Sequence, residues 1–128
     1  MPLSRWITLL TLIGVLALGA CGSDRARGPD GQLGTTLDAL CEARMLASRG
    51  LIRDAEAEFQ DRAHAYLHEL ARETSETDRQ AAARLLETKQ LVEQAFADPP
   101  EPRAVAALLG DLRDRTAEAA GISAPACG

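Results

Sequence analysis

With 128 residues, 46% of them hydrophobic and 26% charged, the chain has room for a single domain with a modest core. Asp and Glu number 19 against 14 Lys and Arg, for a formal net charge of −5, and every basic residue except Lys89 is a scattered Arg. That balance excludes the Lys/Arg stripe a nucleic-acid surface requires. Trp6, Phe59, Tyr66 and Phe96 are the only aromatics besides histidine, too few for a platform that stacks bases or sugars.

Residues 1–5 carry one charge, at Arg5; residues 6–18 carry none and are dominated by Leu and Ile; then comes Leu18-Gly19-Ala20-Cys21. Charge, apolar stretch and small residues, in that order, make a secretory signal. The apolar stretch falls short of the roughly 20 residues a spanning helix needs. Leu18-Gly19-Ala20-Cys21 resembles the bacterial lipobox, an aliphatic residue three positions before a Cys with small residues between. Gly19 departs mildly from the Ala or Ser more common at its position. The resemblance covers residues 1–21 alone. It implies that residues 1–20 are removed and that Cys21 becomes an acylated N-terminus carrying chains such as palmitate. The remainder would then stay lipid-anchored on the extracytoplasmic face of the cell membrane, in the cell envelope. Each buried CH2 of such a chain contributes about 0.8 kcal/mol to anchoring.

Residues 22–34, with four Gly, one Pro and no apolar period, read as a flexible tether spanning about 20 Å root-mean-square. From residue 35 to 128 the chain turns rich in Ala, Leu, Arg and Glu. No run alternates with the period of a strand. A first helix is expected over 36–49, capped by Thr35 or Thr36 and stopped by Gly50. A second is expected over 51–73, where Ile52, Ala55, Phe59, Ala63, Tyr66 and Leu70 recur on one face. After a turn at 74–77, Thr77 and Gln80 fit a capping box for a third helix over 78–97, with Ala82, Leu85, Val92 and Phe96 as its stripe. Asp98-Pro99-Pro100 ends it. Pro102 suits the first position of a fourth helix, which carries Val105, Leu108, Leu109, Leu112 and Ala119 and ends at Gly121. The expected fold is all-α, a small antiparallel bundle of about four helices behind a lipidated tether.

If lipid consumes Cys21, Cys41 and Cys127 remain, and two thiols in an oxidising compartment can pair. Closing the chain from 41 to 127 stabilises by roughly 4–5 kcal/mol in the chain-entropy model. The alternative is two unrelated thiols, one inside a helix and one on a tail.

The residues with most chemistry lie in Asp61-Arg62-Ala63-His64-Ala65-Tyr66-Leu67-His68. On a continuous helix His64 and His68 stand about 40° apart, with Asp61 about 20° to 60° from each. Two imidazoles one turn apart can reach a single divalent transition metal, or serve a haem, and Asp61 could be a third ligand or orient a ring. The competing account is a solvated face: with Phe59 and Leu70 toward the core, His68 points away and His64 to the flank. The segment lacks the glutamate of the HExxH zinc-protease pattern. It holds one carboxylate-x-x-His motif where di-iron bundles need two. Lys89 falls on the stripe of the third helix, between Leu85 and Val92, and is expected to lay its stem along the bundle edge and pair with Glu93. Glu58–Arg62 and Asp111–Arg115 have the i, i+4 order of exposed ion pairs. No phosphate-binding Gly-rich loop, G-x-S-x-G elbow or base beside Cys41 supplies the parts of catalysis. The expected function is therefore non-catalytic binding of an envelope protein partner or small ligand at the membrane, with the Asp61, His64 and His68 metal or haem site as the alternative.

Overall fold

The computed structural model describes residues 29–128. The signal segment, Cys21 and the first part of the expected tether lie outside the described residues. Five helices are formed: α1 (Pro29–Ser48), α2 (Ile52–Arg62), α3 (His64–Thr74), α4 (Arg79–Ala97) and α5 (Pro102–Ala119). Among the described residues there is no strand, and no helix is long and apolar enough to cross a membrane.

α1 begins seven residues before the expected start, so residues 29–34 are helix and not tether. Pro29 opens it, as suits a residue whose missing N–H would be unsatisfied there anyway. Gly31 and Gly34 each cost about 1 kcal/mol relative to Ala. Burial of Leu33, 8% exposed, offsets that with about 1.5–3 kcal/mol. Thr35 and Thr36 consequently sit inside the helix: the Thr35 hydroxyl donates to the Gly31 carbonyl at 3.0 Å, and Thr36 is buried. The far end closes on Gly50 at φ 80°. There Gly50 N–H donates to Ala47 O and Leu51 N–H to Leu46 O, the paired bonds that satisfy a helix's last carbonyls.

The expected second helix is two. It breaks at Ala63, which takes φ −121° and ψ −42° and separates α2 from α3. No Gly or Pro marks the place. Ala63 is itself buried, and the halves serve different neighbours: α2 lies chiefly on α1, α3 chiefly on α4. A straight helix could not satisfy both.

α4 is capped one residue later than expected, by Asp78, whose carboxylate accepts from Ala81 N–H at 2.9 Å. Thr77 instead donates its hydroxyl back to Thr74 O. α5 starts at Pro102 and ends before Gly121 at φ 72°. The Arg84–Glu118 ion pair joins the start of α4 to the end of α5 at 2.5 Å, so these two helices run antiparallel.

Phe59, Leu40, Leu67, Leu85, Leu109 and Leu112 are the largest fully buried apolar side chains. Each helix contributes to one continuous core, with Phe59 and Phe96 in contact at 5.6 Å between ring centroids. The chain after α5 returns to α1, where Cys127 and Cys41 are joined as a disulfide with α-carbons 5.7 Å apart.

Candidate functional site

The break at Ala63 makes His64 the first residue of α3. Its ring packs edge-on against Phe59 at 5.8 Å and against His68 at 4.9 Å between centroids. The two imidazoles are thus neighbours, as one helical turn requires. The third expected ligand is elsewhere. Asp61, before the break on α2, lines an open trough of about 480 Å³ together with Gln32, Thr35, Tyr66 and Glu69.

Across from His64 stands α4. Glu93 Oε1 lies 3.0 Å from His64 Nε2 and 2.6 Å from Lys89 Nζ. The Lys89 side chain is only 4% exposed, deeper than a residue at the bundle edge, and pairs with Glu93 as its spacing predicts. Burial alone would raise the Glu93 carboxyl. The Lys89 hydrogen bond and charge, followed by His64, override it and hold Glu93 below its ordinary value. His68 is pushed the other way for an imidazole, downward, first by desolvation and then by the charges of Lys89 and His64, with Glu93 opposing.

Asp61, His64 and His68 are thus not gathered as a three-ligand metal site. Among the described residues no group of three or more His, Cys, Asp and Glu side chains is placed to hold a metal ion. The cause is geometric and electrostatic together. The angles that gathered Asp61 with the histidines assumed an unbroken helix, and Glu93, which replaces Asp61 beside His64, already has an ammonium on the same oxygen. The exposed pairs fare differently from each other. Arg62 takes Glu58 as expected, whereas Arg115 turns from Asp111 to Glu118 at 2.9 Å.

A second feature lies one turn further along α3. His68, Ala71, Arg72 and Ser75 form one wall of a trough of about 350 Å³, and Arg79, Ala82, Ala83 and Leu86 of α4 form the other. Its floor is alanine, and Leu86 stands 42% exposed at its edge. Arg72 and Arg79 make no ion pair with any described residue. In contrast, Arg62 at the Asp61 trough is held by Glu58. The carboxylates of α3 face away from this trough: Glu69 lines the one beside Asp61, and Glu73 lines another with Leu33 and Thr74. Sequence reasoning singled out neither Arg72 nor Arg79 as a site residue. The available signal was a second leucine, Leu86, beside the core stripe at Leu85, with an arginine close to each end of the Thr74–Asp78 connection.

No protein-family model, curated protein or solved structure matches the chain.

Proposed function

We propose that this chain is an exported lipoprotein, anchored by acylated Cys21 at the extracytoplasmic face of the cell membrane, whose helical domain binds an envelope partner and performs no catalysis. The observation that carries the proposal is the Cys41–Cys127 bridge. Disulfides of this structural kind persist where the compartment is oxidising, and pairing these two leaves Cys21 as the third cysteine, at the end of the lipobox-like segment. A domain tied shut in this way, with open troughs on its surface and, on one of them, guanidinium groups that no described residue pairs, suits a module that presents a fixed face to a partner.

Two measurements test it. Cys21→Ser should shift the protein from the membrane fraction to the soluble one, or leave it unprocessed; a variant that fractionates and migrates like the parent contradicts the anchor. A photo-crosslinking side chain at Ala83 or at Gln32, in intact cells, should give a discrete adduct for at least one of the two positions. Its absence at both contradicts partner binding.

A further inference from the structure

We infer that the trough between α3 and α4 is a docking groove for an acidic amphipathic helix of a partner protein. The inference rests on the binding role proposed above and names the partner's chemistry.

Shape comes first. The trough is concave, about 350 Å³, and runs from His68 to Ser75, which at 1.5 Å per residue is about two turns of helix. Ala71 and Ala82, both buried, leave its floor without long side chains, so a backbone can approach closely, and Ala83 and Leu86 offer a small apolar edge. An amphipathic helix laid into a groove through residues one turn apart fits such a surface. A flat membrane surface does not enter a concavity between two helices.

Charge then selects the partner. The chain as a whole is acidic, at −5, and repels acidic polypeptides. Of the residues lining the trough, the charged ones are Arg72 and Arg79, which stand on opposite walls without an ion pair among the described residues. No carboxylate lines the trough; the nearby Asp78 keeps its charge but is turned to the α4 N-terminus, where it accepts from Ala81 N–H. Two guanidinium groups flanking an apolar floor match a helix with small or aliphatic residues on one face and glutamates on its flanks. Such rim charges guide encounter and orientation, and their effect weakens as salt shortens the screening length to about 10 Å near 0.1 M.

The test uses the full chain in nanodiscs of neutral lipid. The probes are a synthetic amphipathic helix with Leu and Ala on one face and Glu at the flanks, and a twin with Lys at the flanks. The expected result is binding of the Glu peptide and not of the Lys peptide, weakened by salt. Arg72→Glu with Arg79→Glu should weaken the Glu peptide about tenfold or more, which is about 1.4 kcal/mol, and should confer binding of the Lys peptide. Ala83→Leu, at an exposed position lining the trough, should block the Glu peptide by obstructing the groove. Circular dichroism confirms that each variant is folded. Equal binding of the two peptides, or a Glu peptide indifferent to the double reversal, overturns the inference. So does loss of neutral-nanodisc binding in favour of anionic phosphatidylglycerol vesicles with the same arginine dependence, which would make the face a lipid contact. A cellular adduct at Gln32 with none at Ala83 would overturn the groove while leaving the binding role intact.

Discussion

The seam between α1 and α5 and the wall formed by α3 and α4 are built from the same kinds of helix and put to different ends. Along the seam Leu40, Ala43 and Ala47 meet a helix that presents Val105, Leu109 and Leu112, all buried. Where Arg44 crosses, it lies over Gly110, whose missing side chain would meet the guanidinium at 3.6 Å. The disulfide then fastens α1 to the segment that follows α5. Arg113 is the discordant group on that side, buried with no acceptor for its Nε among the described residues. The α3–α4 wall instead carries a buried lysine, a shared carboxylate, two histidines in edge-on contact and two arginines that make no ion pair with any described residue. Apolar burial is non-directional and holds the frame together. Polar groups are directional and leave capacity for another molecule, so the stability of the domain is assigned to the seam and the proposed recognition to the wall.

The largest effect that would break this comparison is on the seam. Replacing Cys41 and Cys127 together by Ser should lower unfolding free energy by about 4 kcal/mol, measured by denaturant titration. A loss near zero would mean that the bridge constrains little and that the packed helices alone hold the frame. Next, Leu109→Ala should cost about 2–5 kcal/mol by the same measurement, as the truncation of a fully buried leucine.

On the wall the effects are smaller. Glu93→Gln removes the carboxylate that Lys89 and His64 share. A fully buried pair broken in this way would cost about 3–5 kcal/mol, but Glu93 is 34% exposed and solvent screening brings the expectation down to about 1–2 kcal/mol. A result as large as that of Leu109→Ala would erase the distinction between the two regions.

The smallest effect is with pH, and both groups act in one direction. His68 titrates below its ordinary 6.5 in the fold, so the unfolded chain takes that proton first and stability declines as pH falls through 6.5. Glu93 titrates below its ordinary 4.5, so its contribution is complete above 4.5 and is lost as pH falls toward its folded value. Thermal midpoints should therefore decline in two windows, the upper one abolished by His68→Gln and the lower one reduced by Glu93→Gln. A midpoint that rises on acidification from neutrality would contradict the assignment of His68.

Much of the frame is legible in the residues alone. The stripe Leu85, Val92, Phe96 and the stripe Val105, Leu109, Leu112 are buried as their periods require. Gly50, Pro99-Pro100 and Gly121 end helices where their backbone chemistry says they must. The pairing of Cys41 with Cys127 follows from counting once Cys21 is set aside. The break at Ala63 is not legible, because alanine favours helix and the cause is the competing demands of α1 and α4. That one displacement removes Asp61 from the histidines. The contact between His64 and Glu93 and the trough between Arg72 and Arg79 join residues of different helices, which no local period reveals.

Amide hydrogen exchange along the full chain, with and without the glutamate-flanked helix, tests the division of labour most directly. The account predicts the slowest exchange in α1 and α5 around Leu40 and Leu109 in both states, and new protection on binding confined to residues 68–86. New protection along α1 and α5, or slower exchange in α3 than in α5 before any peptide is added, would contradict it.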